Sequence, residues 1–184
     1  MLSLEVLGME IRTFSYSDRG KTQSRPREYG LLAVYLIATL AVGMLSGFLI
    51  RDAQSSYMAL NQPPLSPPPM VFPIVWTVLY GLMALAAFRT HRALRQSGER
   101  SWVRYLVFLY TLQLAINAIW PQIFFHSDKY LFAFVWLLIL LAVIVALQVL
   151  YYRVDKIACW MMLPYVLWTV FAGYLTMGVY LFNR

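Results

Sequence analysis

The chain has 184 residues, 61% of them hydrophobic and 12% charged, with a mean hydropathy of +0.63 and a net charge of +7. This is too apolar for a soluble domain and too short for more than one membrane bundle, so the class is an all-α integral membrane protein. The positive charge reads as membrane topology and contact with anionic lipid, and no nucleic-acid partner is expected, because the basic residues sit in short segments beside apolar runs.

Residues 1–28 mix Glu5, Glu10 and Asp18 with basic residues and hold no apolar run, which reads as a flexible basic tail and not a cleavable signal peptide. The rest, residues 29–184, is expected to be one membrane domain of five spans: about Tyr29 to Ile50, Val71 to Phe88, Tyr105 to Phe125, Tyr130 to Tyr151 and Ile157 to Phe182. Each is long enough to cross roughly 30 Å of hydrocarbon as a helix. In the first span Gly43 and Gly47 form a GxxxG pair, which permits close helix contact within the bundle or in a homodimer.

Between the first two spans the chain reads LNQPPLSPPPMVFPIVWTVLY, from Leu60 to Tyr80. Pro63, Pro64, Pro67, Pro68 and Pro69 fix φ and remove amide donors, so they predict an extended strap that loses little entropy on closing. The following helix presents Phe72, Trp76, Leu79 and Met83 at helical spacing, and aromatics beneath a stiff strap suit a flat apolar ligand.

In the third span Gln113, Asn117, Trp120 and Phe124 fall on one helical face. An amide in hydrocarbon needs a partner, so Asn117 is expected to face the bundle interior, bonding either a ligand or a neighbouring helix. The fifth span carries a comparable stripe of Tyr165, Trp168, Ala172 and Thr176 beside Pro164, where the small Ala172 leaves room for a ligand edge. Leu175, Tyr180 and Arg184 fit the permissive pattern proposed for sterol contact, and an interfacial tyrosine with a snorkelling arginine explains them equally well.

All eight acidic residues lie outside the spans or at their ends, so the usual equipment of proton-coupled pumps and of paired-carboxylate catalysis is missing. The single cysteine, Cys159, excludes an internal disulfide and a multi-cysteine metal site. His91 and His126 read as loop residues on opposite faces, which leaves His126 as a lone axial-ligand candidate or a solvated loop histidine, and no metal site is expected. Twelve basic residues fall on the N-terminal side of the membrane and three, Arg51, Lys129 and Arg184, on the other. In a bacterial membrane that asymmetry places the N-terminus in the cytoplasm and the strap outside.

Three segments together resemble the TspO/MBR family: the run Tyr57, Leu60, Pro63, Pro67, Pro68, Phe72, Val75, Trp76, Leu79 and Tyr80; QLAINAIWPQIFF from Gln113 to Phe125; and LPYVLWTVFAGYL from Leu163 to Leu175. The resemblance runs from about Tyr29 to the end. It implies a five-helix bundle, commonly dimeric, that binds porphyrin or haem as a ligand with no cofactor required; sterols and synthetic drugs are ligands in animal members. The pocket it implies is Tyr57, Pro63, Pro67, Phe72, Trp76, Tyr80, Asn117, Trp120, Trp168, Ala172 and Leu175. It also implies a second activity, light-driven porphyrin degradation, for which Trp76 and Trp168 are the candidate participants. The chain departs from the family at Gln62, where a lysine is common, at Leu65, where a tryptophan is common, and at Trp136 and Thr176. Arg51 is the residue that would replace the missing strap cation.

Overall fold

A computed structural model describes residues 25–51, 59–126 and 129–184, which form five α-helices and no strand among the described residues. They are α1 (Arg25–Leu49), α2 (Val71–Gln96), α3 (Arg100–His126), α4 (Tyr130–Val154) and α5 (Lys156–Phe182). All five are long and apolar enough to cross a membrane, which makes the protein a multi-pass membrane protein. The tail expected over residues 1–28 lies outside the described residues up to position 24, and α1 already begins at Arg25.

The helices run longer than the apolar stretches alone suggest, because local signals at their ends extend them past the hydrocarbon. Gly98 adopts φ 78°, and the Gly98 and Glu99 amides bond back to the Arg95 and Leu94 carbonyls at 3.2 and 3.0 Å. This left-handed cap closes α2 and lets α3 start two residues later, which fixes the pair as antiparallel neighbours. Asp155 does the equivalent between α4 and α5. Its Oδ1 accepts from the Ile157 and Ala158 amides at 2.9 and 3.3 Å, while its other oxygen meets Arg89 Nε of α2 at 2.9 Å. Glu28 of α1 and Arg92 of α2 pair at 3.2 Å at the same end.

His91 corrects the sequence expectation. It sits inside the last turns of α2, not in a loop, and its Nδ1 lies 2.8 Å from the Tyr35 hydroxyl of α1. The apolar run of α2 fades after Phe88, but helix hydrogen bonding continues until Gly98 stops it, so hydropathy placed the boundary too early.

Around the bundle α1 packs on α2 and α3, α2 on α5, α5 on α4, and α4 on α3, so the helices close into a ring. Met83, Ala84, Ala86 and Ala87 of α2 are fully buried, and the three alanines let the backbones approach. Ile37, Phe48, Phe108, Ile139 and Leu167 are exposed, as a lipid-facing surface requires.

Candidate functional site

At the strap end of the bundle, α1, α2, α3 and α5 enclose a cavity of about 380 Å³, within the range of roughly 300–1,000 Å³ usual for ligand pockets. Its aromatic wall is Phe72, Trp76 and Tyr80 from α2 and Trp120, Phe124 and Phe125 from α3. Phe72, Trp76 and Tyr80 recur every four residues, as do Trp120 and Phe124, so each set aligns on one helical face, with Phe125 beside it. The Trp76 and Tyr80 rings lie 5.5 Å apart, and those of Trp120 and Phe124 stack at 5.4 Å. Pro121 lies inside α3 and also lines the cavity.

The polar face of the cavity is held by a chain of hydrogen bonds across three helices. The Tyr80 hydroxyl donates to Asn117 Oδ1 at 2.8 Å, Asn117 Nδ2 donates to the Tyr165 hydroxyl at 2.9 Å, and that hydroxyl donates to Gln113 Oε1 at 2.9 Å. Asn117 therefore answers both sequence readings: it ties α3 to α2 and α5, and it also lines the cavity. Gln113 is fully buried behind it, one turn away.

Of the residues singled out from sequence, Phe72, Trp76, Tyr80, Asn117, Trp120, Ala172 and Leu175 line the cavity together. Trp168 is half-buried and stands behind that wall, its ring edge-on to Phe72 at 6.0 Å. Pro63 is buried against Gly178 of α5, and Pro67 is half-buried on the strap; neither lines the cavity. Tyr57 lies outside the described residues, as does the side chain of His126, the last residue of α3. Leu175 is buried in the cavity wall whereas Arg184 is exposed, so the terminal sterol pattern is not presented as one lipid-facing surface. Trp136 sends its indole N–H to the Ile116 carbonyl at 2.8 Å, a helix-to-helix bond between α4 and α3.

The sequence reading missed the contribution of α1. Leu40, Gly43, Met44, Gly47 and Ile50 form one cavity wall; Arg51, which the sequence did single out, lies just past the helix end among the lining residues with its guanidinium over the Phe48 ring at 4.4 Å. The GxxxG pair was the available signal. A Cβ on Gly43 would collide with the Tyr80 ring, so the glycine admits Tyr80 to the site and serves packing within the bundle, while Gly47 has open space at its Cβ.

The strap is fastened to α5. The Asn61 amide donates to Asn183 Oδ1 at 2.9 Å and Asn183 Nδ2 donates back to the Asn61 carbonyl at 2.8 Å. Tyr174 donates to the Pro64 carbonyl at 2.8 Å. Between these points Pro63 to Ser66 form a turn, with Pro64 in its second position and Leu65 at φ 67° in its third, as a type II turn requires. Leu65 is strongly exposed.

Five membrane-crossing helices around an aromatic cavity beneath a proline strap define the class of protein, and comparison with known proteins places it. Residues 34–181 match the TspO/MBR family, and the chain belongs to that family. It is 33% identical over 153 residues to the CrtK protein of Rhodobacter capsulatus, covering 83% of this chain and 92% of that one. It is 32% identical to the tryptophan-rich protein TspO of Chlorobaculum tepidum, covering 83% and 95% of the two chains, and 33% identical to the human translocator protein, covering 76% and 81%.

Proposed function

We propose that this TspO/MBR protein binds tetrapyrroles of the porphyrin and haem type in the strap-end cavity, as a sensor, scavenger or transporter, with the strap as lid. The observation that carries the reading is the cavity itself: flat aromatic side chains from both α2 and α3 line it, together with Arg51 just past the end of α1. Stacking on such rings gains dispersion and area burial together, and a guanidinium among the lining residues complements a carboxylate substituent. The names of relatives, a tryptophan-rich sensory protein and a translocator protein among them, fit the sensor and transporter roles in this reading. The orientation that fits the basic-residue asymmetry has the N-terminus in a bacterial cytoplasm and the strap on the far side; membrane lipid and a second copy of the chain are its expected partners.

A second reading, light-driven porphyrin degradation, draws support from Trp76, an oxidisable indole in the cavity wall. Trp168 has weaker standing, since Phe72 separates it from the cavity. Titration of purified protein with protoporphyrin IX in the dark and then under illumination tests both. Saturable dark binding is expected, weakened about two- to tenfold by Trp76→Phe through lost stacking and less by Trp168→Phe. Absence of saturable binding sinks the binding reading. Porphyrin loss under light that Trp76→Phe abolishes would establish the enzyme.

A further inference from the structure

The polar part of the cavity wall consists mostly of hydroxyl groups, and each has already placed its only hydrogen. Ser46 Oγ donates to the Ala118 carbonyl at 3.2 Å, Thr77 Oγ1 to the Pro73 carbonyl at 2.8 Å, and Thr176 Oγ1 to the Ala172 carbonyl at 2.7 Å. The Tyr80 hydroxyl donates to Asn117. A hydroxyl carries one hydrogen and two lone pairs, so all four keep acceptor capacity alone. Pro121 adds to this: having no N–H, it deprives the Asn117 carbonyl, one turn back, of its helix donor. Donors at the wall are few. The Trp120 indole N–H is buried out of reach with no partner, Asn117 keeps one amide hydrogen beyond that given to Tyr165, and Arg51 alone carries charge among the described lining residues.

We propose that the cavity selects flat apolar ligands that carry hydrogen-bond donors, N–H or O–H, on their buried body, and that Gln113 maintains this preference from outside the cavity. The inference rests on the reading of the cavity as a flat-ligand site and names what that ligand must bring. Tyr80 presents lone pairs because its hydrogen enters a one-way chain, Tyr80 to Asn117 to Tyr165 to Gln113, which ends on Gln113 Oε1. Gln113 Nε2 has no partner, so the amide serves the chain as a terminal acceptor. Neither Gln113 nor Tyr165 lines the cavity, which makes Gln113 a positioning residue. A ligand donor completes the wall and strengthens a chain already polarised in that sense. A ligand with acceptors only brings lone pairs against lone pairs and loses its own hydration without return.

Three tricyclic probes of nearly equal shape isolate the effect: carbazole with a ring N–H, dibenzofuran with a ring oxygen, and fluorene with a ring methylene. Their affinities for the full-length protein are measured by calorimetric titration, with partition into the detergent subtracted. Carbazole is expected to bind about three- to tenfold tighter than fluorene, the worth of one added hydrogen bond, and dibenzofuran no tighter than fluorene. In Gln113→Met, a change outside the cavity lining, the carbazole-to-fluorene ratio should fall toward one while fluorene affinity holds, a change in selectivity that a merely structural role would not produce. Equal binding of carbazole and dibenzofuran by the wild-type protein, or preference for dibenzofuran, overturns the proposal and leaves the flat-ligand reading standing. Binding of none of the three overturns that reading and this proposal with it. A wild-type carbazole preference that survives Gln113→Met removes Gln113 from the device.

Discussion

Two glycines of one motif have different work to do. Gly43 lies against the Tyr80 ring with no room for a methyl group, while Gly47, a turn further on, meets nothing within 4 Å. Alanine is the better helix former by about 1 kcal/mol, so the two substitutions share their intrinsic gain and differ only in the clash. Gly43→Ala should lower the thermal midpoint in detergent, since overpacking costs about 1–3 kcal/mol, and should weaken ligand binding by displacing Tyr80 from the cavity wall. Gly47→Ala should leave the midpoint unchanged or raised. Equal midpoints for the two variants would show that α1 can back away from α2 at no cost. Asn117 carries the same lesson in polar form: its carboxamide is shared between Tyr80 and Tyr165, so packing and site chemistry meet in one side chain.

At the scale of the element, the strap behaves as a hinged piece with one fixed end. Pro63 sits in a notch that exists because residue 178 is glycine, and the reciprocal Asn61 and Asn183 bonds and the Tyr174 bond to Pro64 hold that end on α5. Beyond Leu65 the prolines stiffen the chain up to α2, helped by Ser66 bonding back to the Pro63 carbonyl and the Val71 amide to the Pro68 carbonyl. Two kinds of change should therefore speed ligand release by different routes. Gly178→Ala should unseat Pro63, since a Cβ there would meet the proline ring in the tight range where something must shift. Replacing Pro67 and Pro68 by glycine should keep the anchor but enlarge the conformational freedom of the open strap, which closure must then remove. Stopped-flow displacement of bound protoporphyrin should show release about two- to tenfold faster in both, with association changed less, corresponding to a loss of roughly 0.4–1.4 kcal/mol. Unchanged release in both variants would mean the strap only links α1 to α2.

For the whole molecule, the ion pairs Glu28 to Arg92 and Arg89 to Asp155 cluster at the end opposite the strap, together with most of the basic residues. This charge distribution predicts orientation. With Cys159 replaced by alanine to remove the native thiol, an impermeant thiol reagent applied to spheroplasts should label Ser66→Cys in the strap and spare Ser97→Cys between α2 and α3. The reverse labelling would invert the topology. The same two-ended plan explains why the interior divides in two. Near the strap, large aromatics and glycines leave space; toward the other end Ala84, Ala86, Ala87, Leu106 and Tyr151 are fully buried.

The sequence by itself determined the membrane class, the five helices, and the family, because length and hydropathy decide what can cross a bilayer and because three motifs in order are hard to meet by accident. It also determined which faces of α2 and α3 turn inward: Phe72 and Trp76 share one face, Asn117 and Trp120 another, and both follow from helical period, whereas Tyr80 was named only through the family resemblance. Only the tertiary structure decided what those faces meet. The α1 wall escaped the sequence reading since Leu40, Met44 and Ile50 look the same whether they face lipid or a cavity, and apolar residues in a membrane protein carry no inside-outside signal. Trp168 moved behind Phe72 for a related reason: a stripe fixes the face of a helix, while the neighbour across it fixes which residue on that face reaches the cavity. The pairing of Asn61 with Asn183, 122 positions apart, was beyond any local pattern, because it depends on how the ring of helices closes.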